Sequence, residues 1–438
     1  MMYDPLHDSC PGPQQPPAPS YWQDHSHTSW PATAGPLPNY ADVVIIGGGY
    51  TGLNAALELA ERYQQQVVVL EANQLGWGCS SRNAGFAMPG TGRLGYATWA
   101  KRFGETTARG IQAEYQQAFA RLARHQAACP EQLQTQHGGY LKIAHTAKAV
   151  AELQQQYQQL QRFEPATRWL NQTQLQDEIN SPHAHAAIHF PQSFGLNPLL
   201  LAASVARQAD QAGAQLCSHT PVQHWHTDPQ QQHHLTTPAG TIRCAKVIIA
   251  SNGYSAQNLH PSVQGRTLPV LSSVVVTRPL TPTELATIKL TSQRLVMDTR
   301  ALKYYFRLLP DQRLLFGGRG AITGKDADKP RYREHLLAAL ADTFSCLRGI
   351  QAEYFWSGWV SVALDDYPRI YSPSPGVFTS MGYCGAGVTF TQLAGQRVAQ
   401  LAMGAELPAL PFYQSALPRF PFARFRRLGQ RFYYYVHR

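Results

Sequence analysis

Gly47-Gly48-Gly49-Tyr50-Thr51-Gly52 is a Gly-x-Gly-x-x-Gly run that follows the apolar segment Val43-Val44-Ile45-Ile46. It opens a segment whose apolar residues Leu53, Ala56, Leu57 and Ala60 recur at helical spacing. In that strand-to-helix context Gly47 permits a tight turn, Gly49 lets backbone approach a pyrophosphate and Gly52 lets helix and strand pack closely. The helix start at Tyr50 and Thr51 then turns unpaired N–H groups and a positive dipole end toward phosphate charge. Glu71 stands nineteen residues beyond Gly52, after the apolar run Val67 to Leu70, where a carboxylate can accept from ribose hydroxyls. Its charge disfavours a 2′-phosphate. A tight turn without a ligand is the bland alternative, against which strand, glycines, helix and acid stand in register.

Two further segments bear on which dinucleotide is bound. Ser80-Ser81-Arg82-Asn83-Ala84-Gly85 follows the acid closely, with Arg82 and Asn83 as candidates for the polar edge of a ring. Far along the chain, Gly382-Tyr383-Cys384-Gly385-Ala386-Gly387 precedes Val388 and Thr389, which open a helix predicted over 388–403. Such a helix start supplies donors to the negative charge that develops on a reduced flavin at N1 and the C2 carbonyl. A nicotinamide has no such use for it, so FAD is the expected cofactor.

These segments need a scaffold. The chain has 438 residues, two to three times a typical domain of about 150 residues, with 44% hydrophobic and 15% charged residues. That excludes a disordered protein and favours two domains. Helical patterns are predicted at 105–128, 147–162 and 198–212, and strands at 140–144, 214–226 and 246–250. Segments 268–278, 302–309, 313–317 and 353–363 carry aromatic and β-branched residues at period two and read as an antiparallel sheet. Residues 1–39 are rich in Pro, Gly, Ser and His and read as an extended arm able to supply neither helix nor core. The fold class is therefore α/β (α+β), a Rossmann-like domain interleaved with one built on an antiparallel sheet. Seven cysteines without a Cys-x-x-Cys pair fit a reducing cytoplasm, and seventeen histidines show no metal-ligand spacing, His233-His234 reading as a polar loop. No metal is expected. No signal peptide or span of ~18 apolar residues is apparent.

Lys and Arg number 37 against 27 Asp and Glu, a net charge of +10, which removing the six arginines of 419–438 lowers to +4. The excess thus sits in one segment, and nucleic acid is not an expected partner. Phe425, Leu428, Phe432 and Val436 in that tail can share a helix face, either docked on the fold, the preferred reading, or in peripheral contact with anionic lipid.

Together the segments 41–53, 76–85, 314–318 and 382–387 resemble the FAD-dependent amine and amino-acid oxidase family that includes sarcosine, glycine and D-amino-acid oxidases. Within it they are most similar to the branch acting on γ-glutamylputrescine, over about 20–435. The resemblance implies an FAD-binding domain from 40–100, 196–265 and 368–405 and a substrate domain from 101–195 and 266–367. The arm over 1–39 and a basic aromatic tail over 406–438 flank them. It also implies cofactor contacts at Ala72, Val222, Ser251 and Gly253. The implied reaction is hydride transfer from the carbon beside an amine nitrogen to flavin N5, the imine then being hydrolysed, with hydrogen peroxide formed where O2 is the acceptor.

Departures from the family pattern are informative. Where sarcosine oxidase links its flavin to a cysteine this chain has Gly358, so FAD is expected without a covalent bond. Where that oxidase places a lysine for oxygen, the matching strand offers Phe316, which leaves O2 or another acceptor open. Of the aromatic residues on the sheet strands, Tyr304, Tyr305, Trp356 and Trp359, alternate members should face the flavin; Tyr305, Trp359 and Tyr383 are taken as the substrate pocket. Lys303, Arg307 or Arg319 can hold a substrate carboxylate, and Asp365 and Asp366 a polyamine. A dehydrogenase of N-substituted amino acids feeding a membrane quinone is the alternative enzyme; a non-catalytic flavin-binding or nucleic-acid-associated protein is the alternative outside enzymes.

Overall fold

A computed structural model describes residues 2–437 apart from 13, 33–34, 130–132 and 291–292, so Arg438 of the tail lies outside the described residues. Tyr40–Ile46, Val67–Leu70, Gln215–Cys217, Gly240–Ile249 and Val377–Met381 form a parallel sheet with Tyr40–Ile46 at its centre. Their near-continuous Val/Ile/Leu runs follow from burial on both faces. Arg369–Ser374 closes one edge antiparallel, and a hairpin leads from His233–Thr237 into Gly240–Ile249. His233 and His234 therefore stand on a strand and not in a loop: His233 is buried and His234 Nε2 lies 2.9 Å from Asp228.

The second sheet has eight strands in the order Ala352–Val362, Leu268–Pro279, Arg313–Arg319, Tyr305–Leu308, Leu295–Asp298, Tyr140–Ile143, Ala187–Phe190 and Arg168–Leu170. It is not wholly antiparallel, because Tyr140–Ile143 runs parallel to Leu295–Asp298. Strand parity sorts its aromatic residues. Phe306 and Phe316 stack at 5.6 Å on the face covered by the helix Pro330–Thr343, while Tyr305 lies opposite Gly317 on the other face. Phe316 is thus fully buried behind the sheet and carries no information about a flavin's oxygen chemistry.

Two helices, Tyr50–Glu61 and Gly387–Ala402, run side by side in the same direction. Asn54 Nδ2 donates to Gln392 Oε1 at 2.9 Å, and Gln396 Nε2 to Glu58 Oε1 at 3.1 Å one turn on. They approach so closely that a Cβ on Gly395 would stand 2.5 Å from the carbonyl oxygen of Thr51. His125, on the helix Glu105–Ala127, reaches the same seam with Nε2 at 2.8 Å from Asn54 Oδ1. Burial lowers its pKa to about 4, so it sits there as neutral imidazole.

The N-terminal arm does supply a helix and core, against the sequence expectation. Its prolines cluster before residue 20, and 20–30 contain none. Ser20 caps the short helix Tyr21–Asp24 and Trp22 is 1% exposed, its indole N–H donating to the carbonyl of Asn83 at 3.0 Å. At the other end of the chain Arg426–Val436 forms a helix whose Arg427 pairs with Asp4.

Gly395→Leu should wedge the paired helices apart and cost about 1–3 kcal/mol, seen as a lower urea midpoint. His125 makes a second prediction. Its unfolded pKa of 6.5 exceeds its folded one, so the unfolded chain binds more protons and stability falls as pH drops from about 6.5 to 4. The full effect is about 3 kcal/mol; in urea unfolding at pH 7 and 4.5, His125→Gln should lose less between the two than the parent chain.

Candidate functional site

The C-terminal ends of the central parallel strands, the starts of both paired helices and one face of the second sheet enclose a cavity of about 1030 Å³. At one end the chain leaves Tyr40–Ile46 through Gly47, whose φ of 110° is a left-handed value that other residues resist. A Cβ on Gly52 would meet the carbonyl oxygen of Gly47 at 1.9 Å, so the turn and helix can close only with glycine there. Glu71 accepts from the backbone N–H of Gly48 at 2.7 Å and of Asn73 at 3.1 Å, which fixes a nearly buried carboxylate at the cavity edge. Each oxygen retains accepting capacity. Ala72, Val222, Ser251 and Gly253 border this end. So do Ser9, Cys10 and Pro11 of the arm, Cys10 Sγ lying 3.6 Å from the Val222 carbonyl. Sequence reasoning missed these three, and no local signal marks them.

Gly49, Tyr50, Thr51, Ser80, Arg82, Asn83 and Ala84 line the middle, and Gly385, Gly387, Val388 and Thr389 the start of the second helix. Several side chains here serve the scaffold. Tyr50 donates its hydroxyl to the Pro198 carbonyl at 2.8 Å and its backbone N–H to Ser80 Oγ at 2.9 Å, so this N–H is not unpaired as the sequence suggested. The Asn83 amide donates to the carbonyls of Cys79 and Ser80 and accepts from Gly85 N–H, so it shapes its loop instead of meeting a ring. Arg82 Nε donates to the Trp77 carbonyl at 2.8 Å, with its guanidinium 4.5 Å from the Trp77 ring centroid. Gly52, Ser81, Gly85 and Gly382 do not reach the cavity wall. Ser81 donates to Gly76, Gly85 accepts from Leu196 N–H, and Gly382 N–H donates to Asn252 Oδ1. Their contribution is to the turns behind it.

The three pocket residues fare differently. Tyr305 borders the cavity, its hydroxyl 2.9 Å from Ser272 Oγ and its ring edge-to-face with Phe86. Tyr383 also borders it, but its hydroxyl lies between Thr51 Oγ1 at 2.8 Å and Ser380 Oγ at 2.7 Å, joining the two helix starts. Trp359 also borders the cavity, but its indole is fully buried among Leu271, Ala321 and Ala327 and donates to the Tyr3 carbonyl at 2.7 Å, pointing to the opposite face from Gly358, which packs on Arg82. Trp356 is likewise buried, donating to the carbonyl of Arg82. Arg307 is buried on the same sheet face as Tyr305 but away from the cavity, with Nη2 on the Leu196 carbonyl and its guanidinium 5.2 Å from the Trp22 ring centroid, and Asp365 and Asp366 are paired with Arg369 and Arg93.

Cations gather at the far wall. Lys142, Lys303 and Arg319 all line the cavity. Lys142 donates to Gln156 at 2.7 Å; burial first and then the charge of Lys303 lower its pKa to about 8. Burial, then Arg93 and Arg319, lowers that of Lys303. Of the nearby acids, Asp298 and Asp366 already pair with Arg300 and Arg93, burial raises Glu164 to about 7, and Glu152, which lines the cavity, accepts from Gln156 Nε2 at 3.1 Å and partly offsets the charge around Lys142. Lys142 carried no signal in the sequence, since only the parallel pairing with Leu295–Asp298 brings it here.

The cavity thus joins a glycine turn that opens a helix, a fixed carboxylate and a second helix start, a cradle into which an FAD fits. Residues 42–401 match the model of the family described as "FAD dependent oxidoreductase". The chain is 30% identical over 397 residues to the gamma-glutamylputrescine oxidoreductase of Escherichia coli (strain K12), covering 87% of this chain and 90% of that protein. It is 30% identical over 391 residues to the probable oxidoreductase OrdL of Rhizobium meliloti (strain 1021), covering 87% of each. Among solved structures, glycine oxidase from Geobacillus kaustophilus superposes with a TM-score of 0.71 at 22% identity, over 86% of this chain and 99% of that one. Family match and cavity agree: this chain belongs to the FAD-dependent oxidoreductases of the DAO family.

Proposed function

We propose that the chain oxidises the C–N bond of an amine that also bears a carboxylate, with a γ-glutamylated diamine, as in the name of the Escherichia coli relative, the leading candidate. The observation that carries this reading is the convergence of Lys142, Lys303 and Arg319 on the cavity wall. Three cations brought together at the cost of burial and mutual repulsion outnumber Glu152, the acid that acts on Lys142, and a substrate carboxylate supplies a further anion.

On this reading the Gly47–Thr51 turn holds the pyrophosphate, Glu71 the ribose, Val222 and the arm residues 9–11 the adenine, and Gly385 to Thr389 the polar edge of the flavin. Bound FAD, held without a covalent bond, supplies the hydride acceptor, so that the amine leaves as an imine which water hydrolyses. The protein's part is to bind and orient. Lys142, Lys303 and Arg319 fix the carboxylate and, by their charge, disfavour the ammonium form of the reacting nitrogen, which must be neutral to lose hydride. Tyr305, held by Ser272, walls the reacting end with Phe86. Tyr383 acts as a positioning residue between the two helix starts. Seven cysteines outside any disulfide among the described residues suit a cytoplasmic location. Oxygen is the first reading of the acceptor. A membrane quinone is the second, favoured by the exposed apolar residues of the C-terminal helix.

Anaerobic addition of γ-glutamylputrescine to the yellow protein should bleach the flavin, and air should restore the colour if oxygen is the acceptor. Failure of every carboxylated amine in a panel to bleach it would overturn the reading. Acid precipitation should release the flavin into the supernatant. The kcat/KM ratio of a carboxylated amine to its uncharged analogue should fall as pH rises through about 8, where Lys142 loses its proton. Lys142→Gln should lower that ratio roughly tenfold at pH 7 and flatten its pH dependence.

A further inference from the structure

The helix Arg426–Val436 is amphipathic in the reverse of the usual sense. Leu428, Phe432 and Val436 recur every four residues on one side, continuing the line of Phe425. The opposite side carries Arg427, Gln430 and Tyr434. It is this polar side that the fold grips: Arg427 pairs with Asp4 and lies 5.2 Å from the Trp359 ring centroid, and Gln430 is buried. Beside it, Arg426 Nη2 donates to Gln257 Oε1 at 2.7 Å. The apolar side faces outward, with Leu428 57%, Phe432 70% and Val436 56% exposed, and Phe422 and Tyr435 beside it at 82% and 80%. A contiguous exposed apolar strip on a tethered element marks an interaction surface, not a docking face.

Charge decides between occupants. Residues 407–437 contain five arginines and no Asp or Glu, and Arg424 and Arg431 are exposed next to the apolar strip. A second copy of the same surface would set arginines against arginines. An anionic bilayer matches both features, with phosphate headgroups for the guanidinium groups and an apolar layer for the phenyl and isobutyl groups beneath. No helix among the described residues is long and apolar enough to cross a membrane, so the helix would lie flat. Tyrosines such as Tyr433 and Tyr435 suit the headgroup depth. We propose that this outward apolar face, flanked by Arg424 and Arg431, docks the enzyme peripherally onto anionic lipid. The proposal does not depend on the identity of the amine.

Co-sedimentation of the FAD-loaded full-length protein with vesicles tests it. The protein should pellet with vesicles of phosphatidylcholine mixed with phosphatidylglycerol and less with phosphatidylcholine alone. Leu428→Glu/Phe432→Glu should weaken that partitioning roughly a hundredfold, about tenfold for each apolar side chain withdrawn. Arg424→Glu/Arg431→Glu should weaken it selectively on the anionic vesicles. An unchanged flavin spectrum in both variants reports an intact fold. No pelleting with phosphatidylglycerol, or pelleting that Leu428→Glu/Phe432→Glu leaves unchanged, would overturn the proposal. So would self-association abolished by that variant in a protein that binds no vesicle.

Discussion

The separation between the two ends of the cavity is set by how closely the helices Tyr50–Glu61 and Gly387–Ala402 can lie. One start follows the Gly47–Gly49 turn and the other the second glycine-rich segment, so the distance between the helix axes becomes the distance between the two positive dipole ends. Gly395 against the Thr51 carbonyl makes the approach possible. Asn54 with Gln392, and Thr51 with Tyr383, then pin it with hydrogen bonds in a dry seam. A packed interface of this kind has one good spacing, because any displacement leaves buried amides unpaired. The neutral His125 belongs to the same economy, adding a partner for Asn54 without adding charge.

Against that fixed end, the second sheet supplies the variable one. Its cavity face carries Tyr305, Gly317 and Arg319, while Tyr304, Phe306 and Phe316 pack behind it. Joining Tyr140–Ile143 to this sheet brings Lys142 near Lys303, so the cationic wall of the cavity depends on a strand more than 150 residues away in sequence.

How far the sequence could be read follows from the range of the interactions involved. The Gly47–Gly52 turn, Glu71 and the helix at 387–402 were legible because a turn, a cap or an apolar period is written within a few residues. Strand parity was not. The Trp359 indole and the Phe316 ring point away from the sheet face that carries Gly358 and Tyr305, and in a strand one residue reverses the face. Asn83 was chosen for its chemistry, yet its amide is consumed by its own loop. The arm misled for a different reason: proline content describes Pro11 to Pro19 well and says nothing of Tyr3 or Trp22, whose burial depends on surfaces made hundreds of residues later.

Asp4 binds both the backbone N–H of Gly324 at 2.8 Å and the guanidinium of Arg427, while Tyr3 takes the Trp359 indole N–H. Residues 9–11, a few positions on, line one end of the cavity. Through these contacts the arm couples the helix at 426–436 to the cavity wall: a load on that helix pulls on Asp4, and with it on the segment that closes one side of the cavity.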